Sequence, residues 1–371
     1  MRILYVMPYL GNGGVEKMTY EWIRRLQKKG NYHFDILVNE IINDSKYLEL
    51  FNNLDVSIYQ MPYSQIRLDK KIPILKNILL KNKYDIIHIH SCFAFDFWIL
   101  KEAKKCGISI RIAHSHNAIK FEKITTKLLD YLSKPFIRYY ATELLACSYV
   151  AGYGLFGKNK YVEQNLRVIF NGIDSQTYKF DIFKREKIRN ELNLNNKFVV
   201  GSVGRLSKQK NYSLLINIFE KIKSIRDDSI LLLVGSGEDK PLLEKQAKSL
   251  NIDKNIIFYG ESNNVADLLQ SMDVFVLTSL YEGLGISLIE AQFCQLPCVA
   301  SNTITDEVNI SGNVKFMDLN DSLDRWAQAI IESEATYNRI DSVDNFSNAI
   351  YHIEYSTYCL QNIYESNLKE G

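Results

Sequence analysis

Short apolar runs alternate along most of the chain with longer stretches in which apolar side chains recur every three or four positions. The first pattern predicts strands and the second amphipathic helices, and their alternation predicts βα units around a parallel sheet. Arg2–Met7 reads as a strand, and Gly14–Gln27 then places Val15, Met18, Trp22 and Leu26 on one helical side. Further strands are expected at Phe34–Val38, Val56–Gln60, Ile86–His90, Ile108–Ala113 and Glu143–Cys147, with long amphipathic segments at Ile72–Lys83 and Phe121–Tyr140. A second series runs through Phe198–Val203, Ile230–Val234, Ile256–Tyr259, Val274–Leu277 and Cys298–Ala300, and after Asn320 the chain reads as helical to its end.

Two such series in 371 residues fit two α/β domains, each a doubly wound parallel sheet. Asn171-Gly172 is a turn signal and places the junction near residues 165–175. The expected division is residues 1–168, 169–345 and a C-terminal helical segment, 346–371, that can cross back to the first domain. Ligands in open α/β sheets sit at the carboxyl ends of the strands, so two facing domains would hold a ligand in the cleft between them.

Composition narrows the class. Hydrophobic residues make up 46% and charged residues 24%, which excludes a disordered chain. No stretch approaches the roughly 18–20 apolar residues of a membrane span, and Met1–Met7 is too short for a signal peptide. The expectation is a cytoplasmic protein. Cysteines 92, 106, 147, 294, 298 and 359 are scattered without a Cys-x-x-Cys pair, and read as reduced, mostly buried thiols. The net charge of +2 hides an asymmetry: residues 1–165 carry 24 Lys and Arg against 15 Asp and Glu, and the remainder 21 against 28. A basic first half suits an anionic partner such as a membrane surface or a phosphorylated acceptor, or simply attraction between the two domains.

Candidate chemistry lies where strands end. Gly11-Asn12-Gly13-Gly14 joins the first strand to its helix, where backbone amides and the helix N-terminus favour an anion. Gly152 to Asn159 nearly matches a P-loop, but Asn159 stands where a Ser or Thr hydroxyl would hold magnesium, so it is set aside. After Phe198–Val203 come Arg205 and Lys210, two cations able to grip a diphosphate. After Val274–Leu277 a loop carries Glu282, and a helix beginning near Gly285 carries Glu290, placed to accept hydrogen bonds from both hydroxyls of a ribose. His88 and His90 lie two apart on one strand, so both face one side, and His114 and His116 repeat the spacing at the end of another. No Asp or Cys stands at motif spacing beside them, so no metal site is expected.

Glu282-x7-Glu290, with Gly204-Arg205 and Lys210-Asn211 upstream, resembles the retaining glycosyltransferases of family 4, which have the GT-B fold. Gly13-Gly14-Val15-Glu16, Phe170-Asn171-Gly172-Ile173-Asp174 and Val234-Gly235-Ser236-Gly237-Glu238 agree with that family. Ala113-His114-Ser115-His116-Asn117 and the Cys147-Ser148…Leu155-Phe156-Gly157 stretch look like its capsular and exopolysaccharide branch. The resemblance implies two Rossmann-like domains, the first for the acceptor and the second for a nucleotide sugar, most simply a UDP-sugar. It implies that Arg205 and Lys210 neutralise the diphosphate and that Glu290 binds the ribose. Glu282 with the backbone of Gly283, Leu284, Gly285 and Ile286 would hold the donor sugar. Tyr259 and Gly260 would contact the base, and Gly14 would let the first loop close on phosphate or acceptor. One histidine of the second pair, His116 in preference to His114, would meet the sugar hydroxyls.

Fixed cations and helix-terminal amides can replace a divalent metal, and the chain has no Asp-x-Asp triplet, so neither metal nor cofactor is expected. The expected acceptor is a glycan or a polyprenyl-diphosphate-linked saccharide. The basic amphipathic segments Arg67–Lys81 and Phe121–Arg138 could rest on the anionic inner face of the plasma membrane, or could be ordinary core-facing helices. Nucleic acid is not an expected partner, because the basic residues lack interleaved aromatics. Two rival readings are a GT-B-fold UDP-N-acetylglucosamine epimerase and a non-catalytic nucleotide-sugar-binding partner.

Overall fold

The computed structural model describes residues 1–42, 45–61, 67–91, 93–117, 123–262, 264–335, 339 and 349–366. It divides into two compact units, Met1–Gly172 with Ile350–Gly371, and Ile173–Ala349.

The first unit is built on seven parallel strands: β1 (Arg2–Leu10), β2 (His33–Ile41), β3 (Ser57–Gln60), β4 (Ile86–Ser91), β5 (Ile110–Ser115), β6 (Glu143–Ala146) and β7 (Leu166–Val168), in the order β3-β2-β1-β4-β5-β6-β7. Alternation along β1 explains why helices cover both faces. Ile3, Tyr5 and Met7 enter one core with Trp22, Ile23 and Leu26, while Leu4 and Val6 enter the other with Leu75, Leu79 and Leu100. Strand β4 follows suit, with Ile86 on the first face and Ile87 and Ile89 on the second. His88 and His90 therefore share the face of Tyr5 and Trp22.

The helix Ile353–Ser366 belongs to this unit. It seals the first core with Ile353, Leu360, Ile363 and Tyr364, and is pinned to the helix Gly14–Lys28 by Trp22 Nε1 donating to Ser356 Oγ at 3.0 Å. Its arrival explains Gly172, where a Cβ would lie 2.5 Å from the Cα of Ile353. The Asn-Gly pair thus permits a backbone crossing rather than only a turn.

The second unit holds β8 (Phe198–Val203), β9 (Ser229–Val234), β10 (Ile256–Gly260), β11 (Val274–Leu277), β12 (Cys298–Ser301) and β13 (Val314–Met317), all parallel, in the order β10-β9-β8-β11-β12-β13. Phe198, Val200, Leu231, Leu233, Val274 and Val276 pack against the helices Tyr212–Ile225 and Leu323–Ala335.

The two doubly wound sheets are those the alternation predicts. Two strands were not expected: β7 and β13, edge strands of 3 and 4 residues with a cation, Arg167 and Lys315, inside each. Strand β5 starts at Ile110 rather than Ile108, because the Ile108 amide closes the preceding helix on the Ala103 carbonyl. The expected helix Phe121–Tyr140 runs over Ile124–Tyr140, its first two positions lying outside the described residues. Beyond Asn320 the described residues form Leu323–Ala335, a short turn at Ala349–Tyr351 and Ile353–Ser366 rather than one continuous helix.

Candidate active site

The loops that leave the carboxyl ends of β8, β9, β10 and β11 carry the second unit's expected site residues. The loop after β9 lies directly on the loop after β8: a Cβ on Gly235 would meet the Gly204 carbonyl oxygen at 2.1 Å, and one on Gly237 the Leu206 carbonyl at 2.2 Å. Two backbones can approach so closely only without side chains. Beside them, Gly260 at the end of β10 has φ +84° and accepts the Gly235 amide at 2.8 Å. Tyr259 before it is exposed. The loop after β11 joins the same group, with the Leu280 amide bonded to the Gln209 carbonyl at 2.8 Å and Gln209 Nε2 to the Tyr281 carbonyl at 2.9 Å.

Lys210 and Glu282, expected to bind different parts of a ligand, bond to each other. Lys210 Nζ donates to Glu282 Oε1 at 2.6 Å, and Ser279 Oγ donates to the same oxygen at 2.5 Å. Both side chains are largely buried. Arg205 is exposed and pairs with Glu238 at 3.1 Å. Glu290 is buried on the helix Ile286–Phe293, where Tyr178 donates to its Oε1 at 2.6 Å. Gly285 caps that helix with φ +80°, a left-handed conformation that glycine adopts freely, while Gly283 and Leu284 are buried before it. The hydroxyl of Ser287, in the first turn, is buried without a hydrogen-bond partner. Ser279, Ser287 and Tyr178 went unnoticed in the sequence. Neither serine belongs to a motif that local spacing marks, and Tyr178 reaches Glu290 across 112 residues.

In the first unit, Gly14 opens the helix Gly14–Lys28, but the neighbouring amides are in use. Glu16 turns back and accepts the Gly11 amide at 2.8 Å. Burial raises its pKa, and the amides of Glu16, Gly11 and Gly13 act against that rise. An incoming anion would meet this carboxylate.

The four histidines form one cluster. Register places His90 opposite His114 across β4 and β5. His88 Nε2 lies 3.1 Å from His114 Nδ1, and His90 Nδ1 lies 2.8 Å from His116 Nε2. The Trp22 ring stacks on His114 at 5.7 Å between centroids. Burial, with neighbouring imidazoles adding to it, holds His88, His90 and His114 well below the ordinary imidazole range, and burial alone brings His116 down to about 3. All four are neutral at pH 7. Nitrogens of His88, His90 and His114 lie within 4.8 Å of one another, a grouping the sequence spacing did not reveal.

Sequence and structure comparisons show the family and the fold. The model for Glycosyltransferase Family 4 matches residues 12–177, and that for Glycosyl transferases group 1 matches residues 184–343. The UDP-Gal:alpha-D-GlcNAc-diphosphoundecaprenol alpha-1,3-galactosyltransferase of Escherichia coli is 30% identical over 320 residues, covering 80% of this chain and 78% of that one. The chain belongs to the group 1 glycosyltransferases. The capsular polysaccharide biosynthesis glycosyltransferase CapH of Staphylococcus aureus is 25% identical and covers 99% of both chains. Anabaena HepE, solved with UDP-glucose, superimposes with a TM-score of 0.81 over 100% of both chains at 20% identity, which establishes the GT-B fold. This glycosyltransferase has no helix, among the described residues, long and apolar enough to cross a membrane.

Proposed function

We propose that this glycosyltransferase moves a sugar from a UDP-sugar, with retention and without a metal ion, onto a polyprenyl-diphosphate-linked saccharide or growing glycan of a surface polysaccharide. The observation that carries the reading is the gathering of Arg205, Lys210 and Glu282 in adjoining loops at one sheet edge, with Glu290 on the helix that follows. The UDP-bound HepE structures and the diphosphoundecaprenol-linked substrate in the Escherichia coli enzyme's name support the donor and acceptor classes.

In this reading Arg205 and Lys210 take the diphosphate. Lys210 already balances the Glu282 carboxylate, so the ion pair would exchange partners: the ammonium turns to phosphate oxygens and Glu282 turns to sugar hydroxyls. Glu290, oriented by Tyr178, takes the ribose. Tyr259 and Gly260 take the base, and the backbone from Gly283 to Ile286 takes the sugar. A histidine of the 114/116 pair bonds a sugar hydroxyl. Gly14 closes on phosphate or acceptor only once Glu16 has left the amides it holds.

Breaking the anomeric C–O bond places negative charge on the departing diphosphate, and cations fixed there stabilise it by several kcal/mol. The acceptor oxygen bonds to the anomeric carbon on the face the diphosphate leaves, and its proton passes to a phosphate oxygen. The basic first unit would then lie against an anionic membrane, near its lipid-linked acceptor. Nucleotide release from a panel of nucleotide sugars, with EDTA present and acceptor absent, tests the reading. Slow hydrolysis of one uridine donor with matching UDP binding is the expected result. No hydrolysis and no UDP binding would overturn it in favour of a non-catalytic partner.

A further inference from the structure

The helix Ile124–Tyr140 carries its polar side inward. Its buried residues are Asp130, Ser133 and Ile137. Asp130 accepts the Ala94 amide at 2.8 Å, Lys134 donates to the Gly154 carbonyl at 2.5 Å, and Arg138 donates to the Phe156 carbonyl. Outward stand Ile124, Leu128, Tyr131, Leu132, Phe136 and Tyr139, each between 50% and 83% exposed. Their spacing follows one face of a 3.6-residue helix. A contiguous apolar face of this kind on a folded chain marks an interaction surface.

The charges around the stripe choose its partner. Lys123 and Lys127 are exposed at one end, and at the other the Lys104 ammonium lies 4.7 Å from the Tyr139 ring centroid. The helix's one acidic residue, Asp130, is buried. Two copies packed through this face would bring cations together from both sides, whereas an anionic lipid surface neutralises them. Aromatic side chains flanked by lysines at both ends also suit the headgroup layer. We propose that this stripe inserts into the headgroup region of an anionic bilayer and seats the first unit on the membrane, deepening the lipid-linked acceptor reading on which it rests.

The other basic helix behaves differently. Leu68–Asn82 buries Lys71, Leu75, Ile78 and Leu79, and Leu80 is its one strongly exposed apolar residue. Its apolar side belongs to the core, and Lys70, Lys76 and Lys81 can add only surface charge.

The test is cosedimentation of the full chain with phosphatidylglycerol vesicles. The variants are Leu128→Ala/Tyr131→Ala/Leu132→Ala and Lys70→Ala/Lys76→Ala/Lys81→Ala, with UDP affinity and sedimentation velocity measured on each; Phe136 is kept because its ring stacks on Phe97. The apolar variant should partition at least about tenfold more weakly, with unchanged thermal midpoint and UDP affinity, while the lysine variant loses much less. Wild-type-like binding by the apolar variant would overturn the proposal. So would absence of wild-type binding, or a wild-type dimer that the variant dissolves. Wild-type vesicle binding without UDP binding would instead support the stripe and sink the donor reading.

Discussion

The hydroxyl of Tyr364 lies 2.8 Å from Nδ1 of His88, and this contact gives direction to a hydrogen-bonded row running from Tyr5 to His114. A neutral imidazole carries one N–H, so the row can point only two ways. If Tyr5 donates to Tyr364, Tyr364 to His88 and His88 Nε2 to His114 Nδ1, one buried donor is left over, the N–H at His114 Nε2. In the reverse direction both the Tyr5 hydroxyl proton and the His114 lone pair go unmet, at about 1–3 kcal/mol for each stranded group. The first direction wins. Burial raises both phenols well above their usual range, so both remain protonated donors. His114 therefore keeps its remaining N–H as a buried donor of fixed position.

Removing the Tyr364 hydroxyl should release that bias. In wild type, ring ¹⁵N spectra should show His88 and His114 each protonated at Nε2. Tyr364→Phe should show mixed tautomers at both, with UDP affinity retained and turnover reduced. A wild-type His88 protonated at Nδ1 would reverse the assignment.

Arg205 and Lys210 should separate catalysis from stability. The Arg205–Glu238 pair is exposed, so Arg205→Ala should cost under about 1 kcal/mol of folding free energy. It should lower turnover by about 10²–10³, the usual price of one fixed donor at a developing negative charge. Lys210→Ala strands Glu282 in a buried position and should cost about 3–5 kcal/mol, part of it recovered in Lys210→Ala/Glu282→Gln. Denaturation and single-turnover rates check both. Equal stability losses would show that the Lys210–Glu282 pair is no more buried than the Arg205 pair.

Glu290 and Tyr178 should act on nucleotide affinity as a unit. Hydrogen bonds to a charged group contribute about 1.5–3 kcal/mol each, so Glu290→Ala should weaken UDP binding by at least about tenfold. Tyr178→Phe should weaken it less, because the carboxylate stays and only its orientation loosens. Calorimetric titration of UDP decides, and an unchanged Kd in Glu290→Ala would remove the ribose assignment.

The fold was legible because helices cover both faces of each sheet, so most strands read as apolar runs, while the short edge strands β7 and β13 each carry a cation, Arg167 and Lys315, among few apolar residues. The second unit's candidate site was legible where its residues are contiguous, as in Gly204–Asn211 and Thr278–Glu290, which the fold brings together. What escaped is chemistry assembled by packing. Tyr364 reaches His88 across 276 residues and sits on a helix of ordinary composition. Lys71 reads as one surface lysine among several, yet it is buried with its ammonium 3.3 Å from Asn39 Oδ1. Helical spacing revealed that Ile124–Tyr140 is amphipathic but not which side it buries, because Asp130 finds an amide partner in Ala94 that no local pattern announces.

The histidine cluster should make the first unit sensitive to mild acid. Unfolded imidazoles titrate near 6.5, while burial keeps those of the folded cluster lower, His116 at about 3. As pH falls through about 6.5 the unfolded chain takes up protons the folded chain does not, so stability present at neutral pH is lost on acidification. Glu16, Asp130 and Asp96, raised by burial, the last to about 6, act in the opposite sense, gaining protons in the folded chain first. Four imidazoles lowered by burial face three carboxyls raised by it, so the imidazoles set the sign of the change. Between pH 7.5 and 6.0 each should remove about 0.8 kcal/mol. Hydrogen exchange of β4 and β5 amides measures the loss, and His90→Gln should reduce it by that amount whatever its effect at pH 7.5. An unchanged loss in His90→Gln would mean that His90 titrates alike in the folded and unfolded chains and that the cluster is open to water.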